Sequence, residues 1–178
     1  HATKIFHPVE GGSLACADPA LHRKLGLMRA FGHIKDEHFE PGINAKNSEL
    51  HAAVGLLVLR HFPTILERRR GQWLRYASGL SGMRIARVPA ETDYNHSYFP
   101  LVLDSERAMH QVLEALGAIG VAPRRYFYPA LSALPYVSAR GSCPIAESLA
   151  PRVICLPLYH DLGDADIDRI IAVVRAGA

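Results

Sequence analysis

The 178-residue sequence lacks long apolar runs and any strong excess of charge of one sign. Its apolar stretches are far shorter than the roughly 20 residues that a membrane-spanning helix needs, so we expect no membrane partner. Lysine and arginine number 20 against 17 aspartates and glutamates, a formal net charge of +3, which is too weak to indicate a nucleic-acid partner. The densest basic run, Arg68–Arg70, is interpreted as the solvated face of a helix.

Cysteine is scarce, and several motifs that identify enzyme classes are absent. Cys16, Cys143 and Cys155 are an odd number and form no C-x-x-C motif. Neither a zinc site nor a disulfide framework is therefore expected, and a reducing, cytoplasmic setting is the simplest inference. The sequence also lacks a G-x-S-x-G elbow, a G-x-x-x-x-G-K-S loop and a G-x-G-x-x-G turn. Hydrolase, P-loop and dinucleotide-binding functions thus lose their usual support.

Ten histidines invite a metal hypothesis. The densest group of possible ligands, residues 33–38, lacks the i, i+4 histidine pair that places two ligands on one face of a helix. Lys35 lies inside this group. The interpretation is therefore a solvated loop, and no metal is expected.

Capping residues and turn signals predict a helix-rich first part. Asp18 and Pro19 are typical of a helix start, with aspartate as N-cap and proline at the first helical position. A longer helix is expected to begin near Asn47–Ser48, to be ended or kinked at Pro63, and to close at Gly79. The composition shift that follows marks the expected domain boundary near residue 80.

The second part reads as strand, helix, strand, strand and helix, which predicts an α/β fold. Tyr98–Leu103 is the first strand, and Pro100 predicts that it lies at a sheet edge or carries a bulge. A helix follows at residues 109–116, an extended aromatic segment at 124–128 and a buried strand at 153–158. A last helix is expected to be capped by Asp164.

Four segments in order along the chain carry a resemblance to a known family. They are residues 1–12, where Lys4 precedes Glu-Gly-Gly, and residues 42–53, 124–129 and 155–159. Together they resemble the DegT/DnrJ/EryC1 sugar-nucleotide aminotransferases, which use pyridoxal phosphate on a fold-type I scaffold. The resemblance implies the C-terminal part of that fold. Residues 1–80 would end the cofactor-binding large domain and residues 81–178 would form a small α/β domain.

The same resemblance implies roles for two residues of the first part. Lys4 matches the Schiff-base lysine, whose ε-amine condenses with the cofactor aldehyde and then moves a proton. Asn44 matches an asparagine that reaches the cofactor phosphate of the neighbouring subunit, which implies a homodimer. A turn residue after Pro41–Gly42 is an equal alternative for Asn44.

In the second part, the resemblance implies a substrate site. Arg125, Tyr126 and Tyr128 match the segment that lines the sugar-nucleotide pocket, where arginine could pair with a diphosphate and tyrosine could hydrogen-bond or stack. Aromatic residues in a strand are more often core. His96 also falls in a family-like segment, and a packing histidine is at least as good an interpretation.

The implied reaction transfers an amino group from a donor such as glutamate to a dTDP-linked 4-keto or 3-keto hexose. The sequence lacks the family's serine just before this segment, its carboxylate for the pyridinium nitrogen, its ring-stacking aromatic and its N-terminal phosphate-binding turn. All of these belong to the half of the family's chain that precedes the lysine, so we expect about half of such an enzyme. The alternative is a catalytically incompetent fragment with only a folding or association role. A cofactor-dependent sugar dehydratase is disfavoured because that branch lacks the lysine.

Overall fold

The computed structural model describes residues 4–137 and 142–178. Its internal contacts divide the chain into two units, His1–Pro63 and Thr64–Ala178. Residues 1–3, the beginning of the first family-like segment, lie outside the described residues. The sequence predicted a division near residue 80, whereas the contacts group residues 64–80 with the second unit. The reason is packing, because Tyr76 and Leu80 are fully buried in the core of that unit.

The first unit holds helix α1 (Pro19–Met28), strands β1 (His33–Ile34) and β2 (Glu37–His38), and the beginning of helix α2 (Glu49–Gly79). Asp18 caps α1 as predicted, since its carboxylate accepts a hydrogen bond from the backbone of Ala20 at 2.9 Å. Residues 33–38, expected to be a loop, form a short antiparallel hairpin. Within residues 4–137 and 142–178, no group of three or more metal-binding side chains occurs.

The first unit contains no buried apolar core within the residues that the structure describes. Among its described residues, 4–63, no apolar side chain is buried. Ile43, Leu50 and Leu56 are 68%, 74% and 69% exposed. Apolar side chains exposed to this degree are available to pack against other protein.

Helix α2 runs for 31 residues and crosses the boundary between the units. Ser48 begins it by accepting a hydrogen bond from the backbone of His51 at 3.2 Å. Pro63 lies inside the helix and does not end it. The helix closes at Gly79, as the sequence predicted.

The second unit is built on a three-stranded antiparallel sheet in the order β3 (Arg84–Ile85), β4 (Phe99–Val102) and β5 (Val153–Leu156). Helices α3 (Glu106–Ala118), α4 (Pro144–Leu149) and α5 (Asp164–Gly177) complete it. Side chains from the end of α2, the sheet, α3 and α5 form one buried core. Its largest fully buried members are Tyr76, Phe99, Leu80, Leu101, Leu103, Met109, Leu116, Ile154, Ile167 and Ile170.

Pro100 lies in the central strand of this sheet, so the edge alternative of its prediction was wrong, and the register with β5 continues through it without an extra residue. It pairs opposite Cys155, whose backbone N–H and C=O both bond to Arg124 rather than to β4. Pro100 therefore occupies a position at which no ladder hydrogen bond to β5 is made. On its other side, β3 pairs only with Leu101 and Val102. A proline is tolerated there because no partner strand requires its missing N–H.

The sequence predicted that Asp164 is the N-cap of α5, but the helix begins one residue earlier than that prediction implies. Gly163 is its N-cap, and Asp164 is the first helical residue. A carboxylate in the first turn still complements the positive end of the helix dipole. No helix of the described residues is long and apolar enough to cross a membrane.

Candidate functional site

The segment around Lys4 is packed along α2. The ring of Phe6 meets that of Phe62 edge-on, with centroids 6.0 Å apart. Pro8 lies against Gly55, where a Cβ atom would come within 3.1 Å of the Cβ of Pro8. The absence of a side chain at position 55 therefore allows the backbone of this segment to approach the helix closely. These two contacts position the segment that carries Lys4.

The side chain of Lys4 itself is exposed. Within residues 4–137 and 142–178, its amine has neither a hydrogen bond nor an ion pair. Of the other three lysines, Lys35 is likewise exposed without a side-chain partner among the described residues, whereas Lys24 and Lys46 each have one. The amine of Lys24 lies 3.0 Å from a carboxylate oxygen of Glu40, and that of Lys46 lies 5.3 Å from the ring centre of Phe31.

Asn44 lies in an isolated antiparallel bridge opposite Ala30. On either side of it, Ile43 accepts a hydrogen bond from Phe31 at 3.2 Å, and Ala45 donates one to Arg29 at 3.0 Å. The side-chain amide is exposed and has no partner in the part of the chain that the structure describes. The backbone of Asn44 is thus fixed, while its amide is available to a ligand.

The other four predicted site residues all belong to the second unit. His96 has a left-handed backbone, with φ of 52°. Its imidazole meets the rings of Trp73 and Tyr94 edge-on, with centroids 5.8 and 4.8 Å away. Burial, followed by the nearby charges of Arg70 and Arg69, lowers the pKa of His96. The neutral imidazole is therefore favoured, and the packing interpretation matches what its ring contacts.

Arg69 corrects the interpretation of the basic run as a solvated face. It is only 9% exposed, and its Nε and Nη2 donate to the carbonyls of His96 and Ser97 at 3.0 and 2.6 Å. Burial lowers the pKa of its guanidinium. Of the three arginines in this run, Arg68 and Arg70 are the exposed ones. The buried member of the run holds the loop that carries His96 and is not accessible to a nucleic acid.

Gln72, one turn further along α2, was not identified from the sequence. It is 5% exposed, and its Nε2 donates to the carbonyls of Tyr159 and Leu162 at 2.8 and 2.9 Å. The family-like segment 155–159 ends at this contact. A polar stripe of α2 therefore holds two loops of the second unit.

Tyr126 connects the His96 loop with the aromatic segment at 124–128. Its ring meets that of Tyr98 edge-on, with centroids 5.5 Å apart, and Tyr98 lies two residues after His96. Arg124 fixes the start of the segment through paired backbone hydrogen bonds with Cys155, of 3.1 and 2.7 Å. The structure thus brings together two segments for which the sequence predicts substrate contacts.

Arg125 and Tyr128 form a different contact. The guanidinium carbon of Arg125 lies 3.8 Å from the ring centre of Tyr128. Its Nη2 donates to the carbonyl of Pro151 at 3.1 Å and to a carboxylate oxygen of Glu106 at 3.3 Å. Its Nε is buried and has no partner among the described residues. Arg125 was expected to pair with a diphosphate, and in this structure its charge is already paired with Glu106.

Comparisons with known proteins give consistent matches. The model of the DegT/DnrJ/EryC1/StrS aminotransferase family matches residues 1–175. Two relatives, both dTDP-4-amino-4,6-dideoxy-D-glucose transaminases, are 30% identical in Shigella dysenteriae and 34% identical in Escherichia coli. These alignments cover 98% and 90% of this chain, but 50% and 46% of the relatives. The chain therefore spans about half the length of the curated relatives it matches.

A solved structure gives the same picture. The crystal structure of DesI in the presence of its TDP-sugar product has a TM-score of 0.85 to this chain at 32% sequence identity. The match covers 99% of this chain and 47% of DesI.

Proposed function

We propose a role for this chain on the basis of its family, since it belongs to the DegT/DnrJ/EryC1/StrS aminotransferases. It supplies the cofactor lysine and part of the substrate site of a pyridoxal-phosphate-dependent sugar-nucleotide aminotransferase. The membership confirms the resemblance drawn from the sequence. It also confirms the fold class, the C-terminal part of a fold-type I transferase.

The amine of Lys4 is the observation that carries this proposal. It is exposed, has no partner among the described residues, and lies on a segment that Phe6 and Pro8 pack along α2. An unpaired primary amine fits a cofactor that is bound through an aldehyde. When bound, pyridoxal phosphate supplies the electron sink for the transfer of the amino group. Lys4 would hold the cofactor and would move a proton at its Nζ.

Asn44 would bind the phosphate of the cofactor. Its exposed amide can donate two hydrogen bonds, and the backbone bonds on either side fix its position. By the family resemblance this phosphate belongs to a second copy of the enzyme, so we propose a homodimer. The exposed apolar side chains of residues 4–63 would then be covered by the remainder of the assembled enzyme.

The substrate proposal is a dTDP-linked 4-keto or 3-keto hexose, with glutamate as amino donor. It is supported by the names of the two transaminases and by the TDP-sugar product of DesI. Tyr126 and His96 would contact the nucleotide sugar. The segments that carry them are joined by the contact between the rings of Tyr98 and Tyr126. Arg125 and Tyr128 would bind it only if a ligand replaced the contact between Arg125 and Glu106. A cytoplasmic location stays a prediction.

Borohydride trapping tests the role of Lys4. The chain is incubated with limiting pyridoxal phosphate, reduced, digested and mapped for pyridoxyl groups on its lysines, which are Lys4, Lys24, Lys35 and Lys46. We expect labelling of Lys4 well before Lys35, an exposed lysine in the hairpin turn that serves as the matched control. Asn44→Ala should reduce the labelling of Lys4 and leave that of Lys35 unchanged. Equal labelling of the two lysines would refute a cofactor site built by these residues.

Association without catalysis is the second candidate function, and one observation favours it. No apolar side chain is buried among the described residues of the first unit, as expected of a piece that associates with other protein. Sedimentation of the chain alone, followed by the labelling experiment, separates the candidates. Oligomers without preferential labelling of Lys4 support association, and preferential labelling supports the aminotransferase site.

A further inference from the structure

Helix α2 carries two polar side chains that are more than nine-tenths buried, Arg69 and Gln72. They are three residues apart and therefore lie on one face of the helix. Each donates to backbone carbonyls of a loop that is distant in the sequence. Burying a guanidinium is unfavourable unless its donors are well bonded. Its presence in this place therefore calls for a specific role.

The two carbonyls that Arg69 binds are consecutive. Its Nε and Nη2 donate to the carbonyl oxygens of His96 and Ser97 at 3.0 and 2.6 Å. Arginine presents these two N–H groups in a fixed planar fork, whereas lysine offers a single nitrogen. The contact therefore fixes the orientation of both peptide groups and not only their distance from the helix.

His96 lies at the point where this fixation matters. Its φ of 52° is in the left-handed region, which non-glycine residues adopt at a cost. The fork holds the peptide group that follows this strained residue. The imidazole meets Trp73, which follows Arg69 by four residues on the same helix, and Tyr94. Helix α2 thus contacts His96 twice, through its backbone and through its ring.

We propose that Arg69 is a positioning residue whose guanidinium fork holds the His96–Ser97 backbone so that the imidazole of His96 stays against Trp73 and Tyr94. Gln72 holds the loop at residues 159–162 in the same manner and has no part in orienting His96. The geometric part of this inference is independent of the enzyme's activity. Its consequence for substrate binding rests on the proposed function, in which His96 contacts the nucleotide sugar.

The test uses the 178-residue chain and four variants. Arg69→Gln removes both the charge and the fork, and Arg69→Lys keeps the charge but loses the fork. Arg70→Gln removes a neighbouring exposed charge. Gln72→Met removes the donor to the other loop at similar side-chain volume. The readouts are the nuclear Overhauser contacts of the His96 ring with Trp73 and Tyr94, the pH titration of its imidazole, and the thermal midpoint.

Both Arg69 variants are expected to lose the ring contacts of His96. In Arg69→Gln the pKa of His96 rises, because the imidazole becomes more exposed and a positive charge is removed. In Arg70→Gln it also rises, through charge alone, so added salt should remove that change. Asp93 and Glu67, the acidic groups near His96, are present in every variant and cancel from the comparison. Gln72→Met should lower the thermal midpoint and keep the ring contacts.

Two outcomes would overturn the inference. If Arg69→Lys keeps the ring contacts, charge suffices and the fork has no positioning role. If the Arg69 variants lose stability but keep the contacts, as Gln72→Met should, Arg69 is merely structural. Titration with dTDP-glucose tests the proposed function separately. Unchanged His96 signals in the parent chain would contradict a substrate role for His96, while the ring contacts would still decide the role of Arg69.

Discussion

Gly79, the last residue of α2, provides the sharpest test of how the second unit is packed. A Cβ atom at this position would lie 2.5 Å from Cδ1 of Ile171, and 3.1 and 3.2 Å from its Cγ2 and Cγ1. Rotation about the outer bond of Ile171 moves Cδ1 but leaves the other two close contacts in place. We therefore expect Gly79→Ala to lower the free energy of unfolding.

The magnitude follows from two opposing effects. Inserting a methyl group into a packed contact typically costs about 1–3 kcal/mol. Replacing glycine by alanine inside a helix gains up to about 1 kcal/mol, and less at the last residue. The expected net loss is about 1–2 kcal/mol. For a chain of this size that lowers the thermal midpoint by roughly 2–8 °C.

Gly71 offers the matched control in the same helix. A Cβ atom there would meet no other atom within 4 Å, so Gly71→Ala should raise the free energy of unfolding by about 0.5–1 kcal/mol. Urea denaturation followed by far-ultraviolet circular dichroism measures both. Ile171→Val removes Cδ1, and the double variant with Gly79→Ala should be more stable than the sum of the single changes predicts. If Gly79→Ala and Gly71→Ala change stability in the same direction, the inferred contact is wrong.

Three further predictions concern single side chains. Ser105→Ala removes the N-cap of α3 and should cost about 1 kcal/mol in urea denaturation; an unchanged midpoint would contradict the cap. Asp168 accepts hydrogen bonds from Arg75, which lower the pKa of its carboxyl group. The contribution of this pair to the stability of the fold is therefore present at neutral pH, and it is lost as the pH falls through the pKa of Asp168 in the folded state. The difference in thermal midpoint between the parent and Asp168→Asn should therefore shrink in acid, and a constant difference would refute the pairing. Burial raises the pKa of the Cys155 thiol to about 11, so a thiol reagent at mildly alkaline pH should modify the other two cysteines first; three equal rates would contradict this.

Local signals in the sequence were sufficient for most of the helices. Aspartate followed by proline marks the start of α1 because both residues act within one turn. The apolar spacing at residues 109–116 predicts α3, and Gly79 predicts the end of α2. Each of these signals depends on neighbours along the chain, so no knowledge of the fold was needed.

Signals that depend on tertiary pairing could not be read in this way. Pro100 is tolerated in a central strand because of the register of β5 and the shortness of β3, and neither can be deduced from the residues around it. Arg69 belongs to the same basic run as Arg68 and Arg70, so its immediate neighbours in the sequence did not distinguish a buried arginine from an exposed one. One pattern could have distinguished it. Arg69, Gln72, Trp73 and Tyr76 follow the 3.6-residue spacing of a buried helical face, which Arg68 and Arg70 do not share.

The candidate site likewise contains residues that the sequence identified and contacts that it could not predict. The family-like segments pointed to Lys4 and Asn44, and both side chains are exposed and unpaired among the described residues. The partner of Arg125 could not be predicted, because Glu106 lies 19 residues away in the sequence. Ion pairs across such separations arise from packing and leave no mark in the local sequence.

Trp73 has a practical consequence of a different kind. It is the only tryptophan in the chain, and its indole meets the rings of Tyr94, His96 and Phe99 at centroid distances of 6.0, 5.8 and 5.4 Å. Light emitted by selectively excited indole therefore originates at one point, beside the loop that carries His96. The molecule contains its own optical reporter, through which movement of that loop can be followed in real time without any added label.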